Sequence, residues 1–569
     1  MSDFIQSFNI GANNISMTAR YIKFISAGSL FFSFLVLIVS VTIFQNIFDL
    51  HLNIYDHSFG KNISKLIMIF LISFAIGLIL STYAAYRFAN FYKTKISDEH
   101  IKGSKLISEE ELQTWQRKNS IQGYDISQKI KLNKNDLTRM VGIFGSTGAG
   151  KSILLRKLFR QIYTQSAEAK VIFYDPKPEF FTEFYNPDTD FIIALEDKRS
   201  VHINLLALIK NTRDLSKIVA SIIPAALKAE DEGWIVMSRS ILTGILIYCL
   251  KNEIQTMKEL RAICMLPFHK LLTLLLEVEG TEAAIQFLDI DEKQQTIYQG
   301  VFSSKIAFIA DYPCLNCPPL KNGYIDFNSF FRSSGRKTVW ILGDDSDEKE
   351  RLKRTVSVVI ELAANAVFSL GEDPNRELFF FIDEFSELKK MDMLQKLIVK
   401  GRSFGCAIFL LMQNPFQLQK VYGKEDAETI LSCLNTNMIF KSNGDQTLEI
   451  LSNLIGKEKV KEINSNQSYG ITVMRDGTSH NESRKVENAV LGSEIKKLTQ
   501  GEIFFGDIEG NWTKIQVAYD KKIDAPKERF TPHIYCENLI IAPEKTTKKQ
   551  LNEPIQEIQT TPIKGDIWS

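Results

Sequence analysis

The sequence has almost no net charge. Over 569 residues, 68 lysines and arginines stand against 67 aspartates and glutamates, a formal +1. So balanced a chain carries no global basicity, and a polyanionic partner would have to be met by a local patch or a channel lining. Metal-enzyme spacing is missing too: the seven histidines are dispersed and no HExxH or similar pattern occurs. Cysteine is scarce and odd in number. Cys249, Cys264, Cys314, Cys317, Cys406, Cys433 and Cys536, several of them in apolar segments, fit reduced thiols rather than a disulfide framework. Cys314 and Cys317 form one CxxC (CLNC), which without a second pair is weak evidence for zinc. From residue 96 onward no segment reads as long and apolar enough to cross a membrane, so a multi-span transporter is not expected.

The first hundred residues differ. FISAGSLFFSFLVLIVSVTIFQNIF (Phe24–Phe48) and LIMIFLISFAIGLILSTYAAY (Leu66–Tyr86) contain no charged residue. Each is long enough to cross a hydrocarbon core of roughly 30 Å as a helix. The first run starts too far in and continues too long for an ordinary cleaved signal peptide. Arg20 and Lys23 precede it, and Arg87, Lys93 and Lys95 follow the second run. The loop between them sets Asp49 and Asp56 against Lys61 and Lys65. By the positive-inside rule both ends face the cytoplasm. The expectation is a two-span anchor over residues 1–95.

The chemistry lies further on, in FGSTGAGKS (Phe144–Ser152). Gly145, Gly150, Lys151 and Ser152 satisfy G-x-x-x-x-G-K-[ST], with Ser146, Thr147, Gly148 and Ala149 filling the loop. Glycines let backbone N–H groups converge on phosphate oxygens, Lys151 supplies charge for the β- and γ-phosphates, and the Ser152 hydroxyl can ligate Mg2+. LTRMVGIFG (Leu137–Gly145) reads as a strand and ILLRKLFRQIY (Ile153–Tyr163) as a helix, whose N-terminus favours an anion. ATP with Mg2+ is the expected ligand.

A second element completes such a site. ELFFFIDEF (Glu377–Phe385) is a buried-strand pattern ending in two acids. Asp383 would hold Mg2+, and Glu384 would polarise the attacking water. Lys151 and Asp383 stand too far apart for a bare mononucleotide fold. The helix-patterned stretch between about Leu206 and Tyr312 therefore reads as an inserted all-α subdomain. Afterwards strands and helices alternate again. KTVWILGDD, CAIFLLMQN and TNMIFKS read as strands, Glu350–Ser369 and Lys389–Ser403 as helices. The fold class is α/β, a mostly parallel sheet flanked by helices. Gln413 ends the strand after that of Asp383 and should lie beside the γ-phosphate. Arg402, in GRSFG, stands where a neighbouring subunit could receive an arginine finger; a solvated helix-end arginine explains it equally well. Asp175 and Glu179, in YDPKPEF, rank below these as site or subunit-contact residues.

Together these pieces resemble the TraD/TraG-type coupling proteins of conjugative type IV secretion systems. The resemblance runs through the anchor, GSTGAGKS, YDPKPEF, the helical insertion, FFFIDEF and GRSFG. FQLQKVYG (Phe416–Gly423) and SYGITVMRDGTSHNES (Ser468–Ser483) look most like the F-plasmid TraD branch. Pro178, Ser386 and Asn414 depart from the family's frequent residues without removing a charge or ligand from the site. The resemblance implies a hexameric RecA-like motor at the bacterial inner membrane. Such a motor recruits a relaxase–DNA complex and drives single-stranded DNA, with attached protein, into a secretion channel. It also implies a finger role for Arg402. Loading of protein effectors without DNA, and an FtsK/SpoIIIE-like double-stranded DNA translocase, remain alternatives. A nucleotide-binding scaffold without turnover would have no need of the full residue set. The expected boundaries are an anchor (1–95), a membrane-proximal linker (96–136), a nucleotide-binding domain in two parts (137–205 and 323–543), the all-α insertion (206–322) and a polar, disordered tail (544–569).

Overall fold

The structure is a computed structural model. It describes residues 99–518 except 195, 196, 198, 312–323, 344–348 and 469–476, plus isolated helical positions between Phe34 and Tyr83. The expected two-span anchor, the Cys314–Cys317 pair, the middle of the late family-like segment and the polar tail lie outside the described residues.

The strands in chain order are β1 (Glu99–Gly103), β2 (Lys105–Ile107), β3 (Gly123–Asp125), β4 (Lys131–Asn133), β5 (Val141–Phe144), β6 (Lys170–Asp175), β7 (Phe191–Ile193) and β8 (Lys337–Leu342). They continue with β9 (Leu378–Ile382), β10 (Cys406–Met412), β11 (Thr436–Phe440), β12 (Lys457–Ser468), β13 (Gly477–Asn488), β14 (Glu502–Gly506) and β15 (Asn511–Gln516). The chain forms two compact units. The smaller, residues 1–101 with 459–486, holds most of a three-stranded sheet in which β12 lies between β1 and β13.

The larger unit is built on a ten-stranded sheet of order β2-β15-β14-β11-β5-β10-β9-β6-β8-β7. The seven strands from β11 to β7 pair in parallel, and β14 runs antiparallel to both of its neighbours. Burial on both faces explains why these strands read as unbroken apolar runs. In β9, Phe379 and Phe381 join one core cluster, while Leu378, Phe380 and Ile382 join the other. The first cluster packs beneath the helix Lys151–Gln165, whose Leu154, Leu155, Leu158, Phe159 and Ile162 are buried at helical spacing. Its centre is aromatic: Phe159 meets Phe381 edge-on at 5.4 Å, and Phe381 stacks on Phe409 at 4.5 Å. The helix that begins at the glycine-rich loop is thereby fixed to the strands that carry the acids.

The other face is covered by Lys349–Ser369, Asp392–Lys400 and a helical insertion running from Leu205–Leu208 to Ala307–Asp311. Asn211, Thr256 and Asp291 start three of its helices by accepting backbone N–H bonds. The helix Glu232–Lys251 lies at its centre. Gly244 lets a neighbouring helix approach: a Cβ there would stand 2.6 Å from Ala284 Cβ.

Three expectations need correction. Residues 229–251 do form a helix long and apolar enough to span a membrane, contrary to the reading that none follows residue 96. Half of its apolar window is buried within the protein, with Ile241, Leu242, Ile245 and Leu246 in the core. The strand expected over Leu137–Gly145 begins only at Val141, because Lys134–Arg139 is a 3-10 turn and Met140 takes a left-handed φ of 62°. The helix expected over Lys389–Ser403 spans Asp392–Lys400 and tightens into a 3-10 turn at Gly401–Phe404. Buried Glu361 sets its start by accepting the N–H groups of Met393 (2.6 Å) and Leu394 (3.1 Å).

Candidate nucleotide site

Parallel strands deliver their C-terminal ends to one edge, and the central three bring the chemistry there. β10 lies between β5, which leads into the glycine-rich loop, and β9, which leads into Asp383. The register Met412↔Phe144 and Leu410↔Ile382 places Gln413 beside the start of the loop and near the acidic pair. Six of the site residues read from sequence thus gather at one edge: Gly145, Lys151, Ser152, Asp383, Glu384 and Gln413.

The loop is held from below. Gly145 donates to Met412 O (3.1 Å) and Ser146 to Lys441 O (2.8 Å), while Ala149 O accepts from Gly501 (2.9 Å). A Cβ at Gly145 would stand 2.6 Å from Phe440 Cβ. Gly148 and Gly150 have left-handed φ of 77° and 114°, which glycine adopts without strain. The backbone amides of Thr147, Gly148 and Gly150 donate to no protein acceptor among the described residues. Adjacent to a helix N-terminus, these donors fit the phosphates of a nucleotide. Lys151 Nζ folds back onto Gly145 O and Ser146 O (3.1 Å), and burial holds its pKa below the ordinary lysine value. Asp383 and Glu384 oppose that shift, so both acids act on the lysine.

The acids are themselves poised. Burial pushes the Asp383 carboxyl up to about 7; Glu384 and Asp175 add to the rise and Lys151 opposes it. A divalent cation would meet this carboxylate and the Ser152 hydroxyl, a hard oxygen set suited to Mg2+. Glu384 takes a left-handed φ of 51° and donates its N–H to Asp383 Oδ1 at 2.9 Å. Its side chain is engaged: Gln413 Nε2 donates to Glu384 Oε1 at 2.9 Å, and Thr147 Oγ1 donates to Gln413 Oε1 at 2.9 Å.

Arg402 is not at this edge. It lies exposed in the 3-10 turn before β10, at the opposite end of the strand that leads into Gln413. Seven residues of strand separate the two edges by roughly 20 Å. The Arg402 charge acts there on buried Asp136.

Asp175, ranked low from sequence, ends β6 next to β9 and is 1% exposed. Its Oδ2 accepts from Phe180 (2.8 Å) and Phe181 (2.9 Å), which closes the turn through Pro176–Glu179. Glu179 lies within that turn. Sequence reasoning missed Asn443, whose Nδ2 approaches Ser146 Oγ at 3.4 Å, and Gly501 beneath the loop. The Asn443–Gly444 dipeptide is a turn signal after β11 that would have pointed to the first; the second depends on distant strand pairing and has no local signal.

A family model described as the type IV secretion-system coupling protein DNA-binding domain matches residues 125–516. The coupling protein TraD of Escherichia coli (strain K12) is 25% identical over 358 residues, 63% of this chain and 49% of that protein. The chain thus matches about half the length of this curated relative. Among solved structures, the unbound conjugative coupling protein TrwBdeltaN70 superposes with a TM-score of 0.65 at 20% identity, covering 77% of this chain and 97% of that one. TrwB in complex with ADP and Mg2+ gives 0.65 at 19% identity, covering 77% and 98%. The likeness establishes a shared α/β fold with a mostly parallel central sheet flanked by helices.

Proposed function

The chain belongs to the type IV secretion-system coupling protein family, and from that premise we propose that it is a coupling ATPase of a conjugative type IV secretion system. It binds ATP with Mg2+ and uses hydrolysis to drive single-stranded DNA, with attached relaxase, into the secretion channel. A single observation carries the nucleotide half of this reading. Lys151, Asp383, Glu384 and Gln413 converge at the sheet edge where unpaired loop amides await an anion. TrwB, which shares the fold, has been captured with ADP and Mg2+.

The residues take separable roles. The glycine-rich loop from Gly145 to Gly150 cradles the phosphates through its backbone. Lys151 leaves its own loop carbonyls to meet the β- and γ-phosphates. Ser152 and Asp383 would hold Mg2+, which would supply positive charge to offset that of the phosphates. Glu384 accepts a proton from the attacking water as its oxygen bonds to the γ-phosphorus, and the bond to the β-phosphate oxygen breaks. Gln413 reports on the γ-phosphate. Arg402, on the far edge, serves the site of an adjacent copy, as a RecA-like ring, most simply a homo-hexamer, requires.

The DNA half rests on the family. A motor with this role sits at the bacterial inner membrane, with relaxosome proteins and channel components as partners. The uncharged runs at 24–48 and 66–86 supply a two-span anchor with both termini cytoplasmic. ATP turnover by the full chain in nanodiscs tests the whole reading. We expect stimulation by single-stranded DNA, weakening as salt rises, and loss of turnover in Lys151→Ala. Turnover indifferent to DNA in an assembled ring would favour protein loading instead.

A further inference from the structure

We propose that Thr147 is a positioning residue: it pins Gln413 so that Gln413 keeps the general base Glu384 occupied until a terminal phosphate arrives. This rests on the nucleotide reading above and goes beyond it. The three side chains form one chain of hydrogen bonds, Thr147 Oγ1 to Gln413 Oε1 and Gln413 Nε2 to Glu384 Oε1, both 2.9 Å. Its direction follows from the chemistry of its end. A hydroxyl donates or accepts, but an ionised carboxylate only accepts, so the amide must turn its NH2 towards Glu384 and its oxygen towards Thr147.

That arrangement has a cost for catalysis. The position on Glu384 Oε1 that receives the Gln413 N–H is occupied and not available to a water. Gln413 follows Met412, whose carbonyl accepts from Gly145, so the amide lies level with the beginning of the phosphate loop. A γ-phosphate oxygen there competes with Glu384 for the Gln413 amide. A nucleoside diphosphate has no such oxygen and leaves the chain of bonds intact. The relay therefore releases the base only when the substrate that needs it is present. Thr147 itself is exposed, so changing it disturbs no core packing.

The test measures selectivity rather than activity. Full-length protein in nanodiscs is titrated with fluorescent ADP and with a fluorescent non-hydrolysable ATP analogue, each with Mg2+. Thr147→Val removes the donor at nearly constant shape, frees the amide to turn, and lowers what the γ-phosphate must displace. Affinity for the ATP analogue relative to ADP should rise roughly fivefold, the worth of one neutral hydrogen bond. Thr147→Ser keeps the hydroxyl and should keep the wild-type ratio. A residue that merely shapes the loop would move both affinities together. An unchanged or lowered ratio in Thr147→Val overturns the relay, as does a Thr147→Ser ratio that follows the valine variant. Failure of the wild-type chain to bind either nucleotide would overturn the nucleotide reading itself, and the relay with it.

Discussion

Asp175 and Asp383 end the neighbouring parallel strands β6 and β9, one residue beyond the Tyr174–Ile382 pair, and the Asp175 carboxylate adds to the upward push that burial and Glu384 exert on Asp383. Burial pushes Asp175 up to about 6, against two backbone N–H bonds that favour its ionised form. The acid that shapes the turn after β6 is thus an electrostatic neighbour of the acid proposed to hold the metal.

The two functions of Asp175 separate by substitution. Asp175→Ala removes the acceptor for Phe180 and Phe181 and leaves both N–H groups buried, at about 1–3 kcal/mol. Asp175→Asn keeps an oxygen that can accept them while deleting a buried charge. Thermal melts at pH 8 should show the alanine variant clearly destabilised and the asparagine variant near wild type. Equal loss in both would mean that the charge, not the turn, is what the fold uses.

Glu361 yields a pH dependence with a definite sign. It is 2% exposed, and burial pushes its carboxyl up to about 8 although Met393 and Leu394 donate to it. A group whose folded pKa is raised stabilises the fold fully below its unfolded value, near 4.5. That stability is lost as pH rises towards 8. Glu361→Gln removes the buried charge and keeps an acceptor, so the wild-type deficit should shrink. We expect the glutamine variant to gain on the order of 2 kcal/mol relative to wild type between pH 5 and pH 8.5. Urea melts at the two pH values measure this directly, and a gain of the opposite sign would refute it.

Much of this site was legible because its signals are local. The phosphate loop, the apolar run into Asp383 and the strand into Gln413 each declare themselves within ten residues. Parallel pairing then forces their C-terminal ends to one edge. What was not legible depends on distance. Nothing near Gly501 announces that its amide props Ala149, and nothing near Glu361 announces that it caps a helix beginning at Asp392. The apolar helix at 229–251 was misjudged for a related reason. Composition alone cannot distinguish a helix solvated by lipid from one solvated by the other helices of a core. Asp175 was ranked low because its importance arises from β6 lying beside β9, an adjacency that the order of strands in the chain conceals.

The insertion's packing is testable at Gly244. An added Cβ would press within 2.6 Å of Ala284 Cβ and 3.2 Å of Leu275 Cδ1. Gly244→Val should therefore force the helix Glu282–Leu288 away from Glu232–Lys251 and cost about 1–3 kcal/mol. The expected readout is a lowered melting temperature with nucleotide affinity retained, because the insertion supplies none of the phosphate-site residues. A variant that melts like wild type would show that the helix pair has slack that the contact distances deny.

Arg402 permits the sharpest assay, because its position divides two accounts. It lies at the edge of the sheet opposite Gln413, too far to reach the phosphates of its own protomer. Acting in catalysis, it must act on another copy. Arg402→Ala should then bind nucleotide normally and turn it over on the order of a thousandfold more slowly, the lower end of what such a finger contributes. Lys151→Ala should be inactive for the complementary reason, since its own site is broken while its arginine is intact. Mixed in one assembly, a Lys151→Ala subunit presents its arginine to the intact site of an Arg402→Ala neighbour, and part of the turnover should return. An arginine serving its own protomer predicts a mixture as inactive as either variant alone, and a solvated surface arginine predicts that Arg402→Ala was never impaired.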